Sequence, residues 1–590
     1  MSNILIYDIE VFKCDSLVVF KDITGREVAH FWSKPNGGFP ADSPNGFERV
    51  PEVIRGKTIA GYNNYNYDDL ILYDMIRDAN QEHIKRTNDL IIAGADMSHE
   101  RRLAELELGS LGVTSLDCMQ QIDVSRPSLK KIEGNMGRSI VESKVSFEID
   151  HPLTDAEKKT VLAYCRYDVD STIEIYKLRE KSYFEAKNAL IDMFGDSRCS
   201  HWNTTTISAN LLLQRPLPAW SKPRVPEELW RNIPGIPENV WEMWEGVSYE
   251  TRDNMRGSCT VDRFGCSIVF GLGGLHGACK DLHSFGNVKL LDVSSMYPSI
   301  VVLLGALGDG TEKYKDMRDE RLQIKHSDPV KSGALKLVLN SVYGLLKNKY
   351  STLYNPMAAV TVCIYGQIAL FDLCRRLHEL GYRIININTD GVAFEDNGSD
   401  SYKTAWQEWE KEFGLSLELD DFSQWIQKDV NNYVARSGDH IKTKGGEVNK
   451  YKNNNYFSNN DARIIHMAVV DKLLFDKDPV DTIVENLDKP ILFQYVLKAG
   501  NTYKGTFDKD GNKMQNVNRV FAAKEGAAVE TTRLYKRRQD DGMVLFADAP
   551  ENMLVYNGDL NELSNIGSFI DVGHYYSVIR KKLEGWGVYC

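Results

Sequence analysis

The stretch that most limits how this chain can fold is RPLPAWSKPRVPEELWRNIPGIPENVWEMW, residues 215–244, with Pro216, Pro218, Pro223, Pro226, Pro234 and Pro237. Each proline fixes φ and removes a backbone donor, so neither a helix nor a central strand runs through the segment. It reads as an irregular connector between two bodies, and its tryptophans are expected to pin it to one of them. At 590 residues the chain is in any case too long for one core. About three to five domains or subdomains are expected.

A hydrophobic share of 42%, a charged share of 26% and abundant tyrosine and phenylalanine describe a globular protein rather than a disordered one. The ten cysteines show no C-x-x-C pair and no regular spacing, so free thiols in a reducing compartment are expected, not a disulfide framework or a zinc site. The net charge of −12 does not exclude nucleic acid, because a local basic channel can sit on an acidic body. The opening residues lack the basic, apolar and small-residue regions of a signal peptide, and none is expected. The apolar run MAAVTVCIYGQIALFDLC (357–374) is interrupted by Gln367 and Asp372 and reads as a buried helix, not a membrane span.

Before the connector, the strand-like run NILIYDIEV (3–11) ends in Asp8 and Glu10. Residues i and i+2 of a strand share a face, so the two carboxylates repel unless solvent or a cation separates them. Asp68 stands at a turn into an apolar run in GYNNYNYDDLIL (61–72), and Tyr164 and Asp168 lie at i and i+4 in the helical LAYCRYDVDSTIEIY (162–176). Four carboxylates and a tyrosine suit two divalent cations about 4 Å apart, which activate a water in phosphodiester cleavage. Singly, each has a bland reading as a solvated strand end or a surface helix. Together, D-x-E, N-x-x-Y-D and Y-x-x-x-D resemble the three motifs of proofreading 3′–5′ exonuclease domains. The resemblance covers about the first third of the chain. It implies a ribonuclease-H-like α/β domain, with the four acids as metal ligands and Asn64 (or Asn63) near the single-stranded end. Val11 stands where many relatives have a small hydroxyl residue.

After the connector, VKLLDVSSMYPSI (288–300) is again an apolar strand ending in an acid, Asp292, with Tyr297 five residues on. GALKLVLNSVYGLLKNKYS (333–351) reads as a helix with Lys336, Asn340 and Tyr343 in one stripe. A cation, an amide and an aromatic suit a triphosphate, a base edge and a stacking surface. Upstream, Arg321 and Lys325 fall at i and i+4, placed to grip the same phosphates across an antiparallel helix pair. YRIININTDGVAFED (382–396) reads as a β-hairpin with Asp390 at its tip and Asn388 on the same face. Alone, Asp292 is a turn cap and Lys336 a lysine on a solvated face.

In this order the three segments resemble motifs A, B and C of family B DNA polymerases: D-x-x-S-[LM]-Y-P-S, K-x-x-x-N-S-x-Y-G and D-T-D-S. Motif C departs from the pattern at Asn388, for its first aspartate, and at Gly391, for its serine. FGLGGLHG (270–277), with Gly273 and Gly274, looks like the glycine loop that contacts template in phage members. YVARSGDHIKTKGGEVNKYK (433–452) resembles the K-x-K-G segment that touches the primer duplex, through Lys442 and Lys444.

The resemblance, to about residue 460, implies a compact phage-type enzyme of multidomain α/β and α+β architecture. The expected parts are an exonuclease domain over 1–185, a connector over 186–260, palm over 261–310 and 356–460, fingers over 311–355, and thumb with C-terminal region over 461–590. Asp292 and Asp390 would hold two Mg²⁺ ions, with Mn²⁺ as a substitute, and Tyr297 would exclude a ribose 2′-hydroxyl. Tyr343 would stack on the nascent pair, Asn340 would face the nucleotide, and Lys336, Arg321 and Lys325 would hold phosphates. Asn388 lowers the charge near the second metal, and Asn388→Asp is expected to be tolerated. The implied partners are primer–template DNA and dNTPs, for a monomer without a membrane in the cytoplasm of an infected bacterial host. The gaps between motifs A and B and between B and C leave no room for the insertions of protein-primed relatives. An ordinary nucleic-acid primer and poor unaided strand displacement are therefore expected. Three other readings stand beside this one: an exonuclease carrying a non-catalytic polymerase scaffold, a non-catalytic replication partner, and an RNA-copying polymerase.

Overall fold

The computed structural model describes residues 3–33, 46–77, 80–94, 109, 111–248, 257–271, 273–281, 283–458 and 461–589, and over them the chain is a multidomain mixed α/β protein. It divides into two compact units. The first lies within 1–203, 455–460 and 494–569; the second lies within 204–454, 461–493 and 570–590.

The first unit is built on a five-stranded mixed sheet of β1 (Ile4–Val11), β2 (Ser16–Asp22), β3 (Glu27–Trp32), β4 (Thr58–Gly61) and β5 (Thr114–Asp117), in the order β3-β2-β1-β4-β5. β1 is central, antiparallel to β2 and parallel to β4. Its period-2 alternation divides the core: Leu5, Tyr7 and Ile9 join one apolar cluster with helix Asp68–Ile76. Ile6 joins the other, with Val161, Cys165 and Val169 of helix Asp155–Arg179. That long helix starts at a capping box, in which the Thr154 hydroxyl accepts from the Glu157 amide and the Glu157 carboxylate accepts from the Thr154 amide.

The second unit carries a nine-stranded antiparallel sheet. Its strands are β6 (Cys259–Arg263), β7 (Cys266–Gly271), β8 (Gly274–Cys279), β9 (Ser284–Val293), β10 (Ile384–Asn388), β11 (Gly391–Glu395), β12 (Leu417–Asp429), β13 (Asn432–Ser437) and β14 (His440–Lys444). They lie in the order β14-β13-β12-β9-β11-β10-β8-β7-β6. The apolar run expected to be a buried helix is helix Pro356–Glu379, buried throughout that run. Its two interrupting polar residues find partners inside: the Gln367 amide donates to the Gly271 carbonyl at 2.8 Å, and Asp372 pairs with Arg375 at 2.7 Å and Arg376 at 2.5 Å. Helices Thr311–Ile324 and Pro329–Lys347 pack together, the second started by Pro329 and by Asp328 accepting from the Lys331 amide. No hairpin interrupts either intermotif segment, as the spacing predicts.

The tryptophans do pin the connector. Trp230, Trp241 and Trp244 cluster at centroid distances of 5.1–6.4 Å, and Trp244 meets Phe270 of β7 at 5.7 Å. The connector expected over 186–260 is nonetheless divided, because helix Glu185–Phe194 belongs to the first unit and the chain from 204 onward to the second.

A larger departure lies near the C-terminus, where 461–590 is not one region. Residues 494–569, with β15 (Tyr495–Lys498), β16 (Gly505–Phe507), β17 (Val517–Ala522), β18 (Tyr535–Arg537), β19 (Met543–Leu545) and β20 (Met553–Val555), belong to the first unit. The physical reason is Arg519. Fully buried, it donates to the carbonyls of Gly558 at 2.6 Å, Gly134 at 3.1 Å and Arg138 at 2.5 Å, and so fastens this segment to helix Leu129–Met136 and the turn after it. Ile140, Val496 and Val517 close a small core beside it. Among the described residues all nine cysteines are free.

Candidate active sites

In the first unit, Asp8 and Glu10 project from β1 toward helix Asp155–Arg179. Ligand atoms of Asp8, Glu10 and Cys165 lie within 4.8 Å of one another. Asp68, in the first turn of its helix, and Asp168 complete the acid cluster; Glu10, Asp68 and Asp168 are buried. Burial pushes all four carboxyls up, with repulsion from neighbouring acids added at Asp8, Glu10 and Asp68. Asp8 reaches about 8, chiefly by burial and then by Asp168, Glu10 and Asp68 move in the same direction, and burial raises Asp168 against the pull of Lys130. The Cys165 thiol is pushed up too, so it stays protonated and donates to Asp8 Oδ2 at 3.6 Å. Hard carboxylate oxygens that resist carrying their charge unaided fit a divalent cation such as Mg²⁺ or Mn²⁺.

Tyr164 lies one turn from Asp168, as the i, i+4 spacing predicts, and burial holds its phenol well above the ordinary tyrosine range. Between them stands Lys130, which the sequence reading missed. Its ammonium pairs with Asp168, lies 3.3 Å from Glu133 and sits 4.6 Å over the Tyr164 ring. The Asn64 side chain turns inward. It is fully buried, and its amide donates to Asp69 at 3.0 Å and Ser115 at 2.9 Å, while Asn63 stays partly exposed. Asp69 is thereby engaged by Asn64 and Ser115, while Asp68 is the one of the two that interacts with Asp8 and Glu10.

In the second unit, Asp292 ends β9 and faces Gly391 of β11 in register, and the Val293 amide donates to the Asp390 carbonyl at 2.7 Å. Asp390 stands at the tip of the β10–β11 hairpin as expected, beside Thr389, whose φ of 56° turns the chain. A cleft of about 280 Å³ is lined by Asp292, Asn386, Asn388, Asp390, Lys442 and Lys444 among others. Lys442 approaches Asp292 at 4.0 Å and Asp420 at 3.5 Å. Burial, with Asp390 and Asp420 as neighbours, raises Asp292 to about 6 against the pull of Lys442; burial raises Asp390 too. The Lys444 ammonium is lowered by burial.

A second cleft of about 240 Å³ joins Tyr297, Asn340, Tyr343, Thr389 and Asp390. The rings of Tyr297 and Tyr343 are 4.6 Å apart, and the Tyr297 hydroxyl donates to the Gly273 carbonyl at 3.2 Å. Gly274 packs on Thr389 at the hairpin tip. Leu272 of the same glycine loop lies outside the described residues. Lys336 is exposed on the stripe of Asn340 and Tyr343 but does not line the cleft, nor do Arg321 and Lys325. The expected phosphate grip is not assembled there. Lys325 caps the C-terminal end of helix Thr311–Ile324, and the Arg321 Nε is buried without a hydrogen-bond partner.

No family model matches the chain. Over 291 residues, 47% of its length, it is 24% identical to DNA polymerase 1 of Aeropyrum pernix. The match takes in 29% of that protein, so the chain spans less than a third of the curated relative it matches. Among solved structures, the family B DNA polymerase of the hyperthermophilic archaeon Pyrobaculum calidifontis aligns over 99% of this chain and 77% of its own, with a TM-score of 0.44 and 13% identity.

The sequence match is thus to a DNA polymerase. Of the residues that the motif resemblances single out, Asp292, Asp390, Lys442 and Lys444 meet in one cleft, and Tyr297, Asn340 and Tyr343 meet in the next. Asp420 and Asn386 join the first cleft's surroundings without any sequence signal, since each reads as an ordinary strand residue.

Proposed function

We propose that the chain is a template-directed DNA polymerase with a 3′–5′ exonuclease, of compact phage type, acting as a monomer on primer–template DNA and dNTPs. The observation that carries this reading is the convergence of two strand-end aspartates with two lysines beside a cleft walled by two tyrosines. Asp292 and Asp390 fit a pair of Mg²⁺ or Mn²⁺ ions, because both carboxyls are raised by burial and gain from a cation. Held by Asp292 and Asp390, such ions would supply charge neutralisation for a triphosphate and activation of a primer 3′-hydroxyl.

The chain's own groups do the rest. Tyr297, held by the Gly273 carbonyl, fills the space a 2′-hydroxyl would need, and Tyr343 and Asn340 offer a stacking surface and an amide to the base. Lys442 and Lys444 neutralise primer phosphates. Lys336, Arg321 and Lys325, outside the cleft, are assigned to the triphosphate on the motif resemblance. In the first unit Asp8, Glu10, Asp68 and Asp168 hold the exonuclease ions, Tyr164 keeps its phenolic proton and donates it in hydrogen bonding, and Lys130 offsets surplus negative charge. The absence of a spare hairpin between motifs supports an ordinary nucleic-acid primer.

The test is a labelled primer–template incubated with and without dNTPs. Lengthening with dNTPs and shortening without them is the expected result. Shortening under both conditions would replace this reading with an exonuclease on a non-catalytic scaffold.

A further inference from the structure

Strands β10 and β12 are not neighbours: β11 and β9 lie between them. Yet side-chain amides span that gap. The Asn388 amide donates to the Val430 carbonyl at 2.8 Å and to Asn431 Oδ1 at 3.3 Å. Asn386, buried on the same strand, donates to Gln427 Oε1 at 3.1 Å, and Gln427 donates back to the Ile385 carbonyl at 3.0 Å. The hairpin that carries Asp390 is thus tied to the β12–β13 turn.

That turn is itself built to hold a position. Asp429 accepts from the Asn431 amide at 2.8 Å and from Asn432 Nδ2 at 2.9 Å. Gly445, with φ of 110°, presses on it so closely that a Cβ would overlap Asn432 Oδ1 and stand 2.9 Å from the Asn431 carbonyl. One residue earlier, Lys444 pairs with Tyr433 across β13 and β14, and Lys442 pairs with Ala435. A continuous path of contacts therefore runs from Asn388, two residues from Asp390, to both lysines.

We propose that Asn388 is a positioning residue that sets Lys442 and Lys444 against Asp292 and Asp390, and that it must be a hydrogen-bond donor to do so. An aspartate there would set a carboxylate against the Val430 carbonyl, two acceptors facing each other, and would leave that carbonyl unpaired. The expectation that Asn388→Asp is tolerated is reversed: shape is kept, but the donor is lost. The consequence for synthesis rests on the polymerase reading above; the clamp itself does not.

Two measurements decide it, on Asn388→Asp and on Asn388→Ala, so that either variant suffices if the other fails to fold. Amide hydrogen exchange over 429–446, read on the protein without DNA, is expected to rise about tenfold in both. Primer–template affinity, read with Ca²⁺ to prevent turnover, is expected to weaken about tenfold, with no fall in the Mg²⁺ needed for half-maximal extension. Unchanged exchange would overturn the clamp. Wild-type DNA affinity combined with a lower Mg²⁺ requirement in Asn388→Asp would overturn the positioning role and assign Asn388 to metal charge instead. Failure of the wild-type protein to extend a primer would strike the polymerase reading alone, because hydrogen exchange still decides the clamp.

Discussion

A side chain at position 391 has nowhere to go: a Cβ built on Gly391 would overlap Asp292 Oδ1. Gly391→Ser should force Asp292 to rotate away and lower the extension kcat by about 100-fold, the scale of loss for a misplacement near 1 Å at a reacting centre. Degradation of single strands should be unaffected, and a steady-state comparison of the two activities checks both. Tyr297 permits a second test at this scale. Its hydroxyl is held by the Gly273 carbonyl and its ring by Tyr343, so the ring is fixed rather than free to yield. Tyr297→Val should raise rNTP kcat/KM relative to dNTP by about tenfold or more; an unchanged ratio in an active enzyme would assign the gate to another residue.

At the scale of elements, β1 and helix Asp155–Arg179 bring together acids that repel. Asp8 holds its proton to about pH 8 in the fold but to about pH 4 in the unfolded chain. Between those values the folded state binds more protons than the unfolded one, so stability falls as pH rises through that window. A divalent cation reverses the penalty by binding the folded state. Thermal unfolding of the first unit without metal should therefore occur at lower temperature at pH 8.5 than at pH 5, with Mn²⁺ restoring most of the loss. Asp8→Asn with Glu10→Gln should shrink both effects, leaving the part due to Asp68 and Asp168. These elements were legible because a strand and a helix each write a period into sequence, and the acids fall on it: Asp8 with Glu10, Tyr164 with Asp168. Lys130 was not legible, because the pair Lys130-Lys131 looks like any solvated face and its partner Asp168 is 38 residues away. The inward turn of Asn64 was not legible for the same reason. Its motif is local, but Ser115, which takes its amide inward, is 51 residues away.

For the whole molecule, the decisive departure from the sequence reading is that residues 494–569 complete the first unit. What holds them is a buried arginine on three backbone carbonyls, and carbonyls carry no sequence signature. Arg519→Ala leaves those carbonyls unpaired and should cost about 3 kcal/mol or more of that unit's stability, read by urea denaturation with exonuclease activity as the probe. A chain ended at residue 203 should lack a stable exonuclease for the same reason. The two acid sets nonetheless lie in different units, and that separation is the basis of the most direct measurement. On one labelled primer–template, Asp292→Asn should lose extension with dNTPs yet shorten the primer at the wild-type rate without them, and Asp8→Ala with Glu10→Ala should do the reverse. Extension by Asp292→Asn at the wild-type rate would contradict the assignment of Asp292 and Asp390 as the polymerase centre.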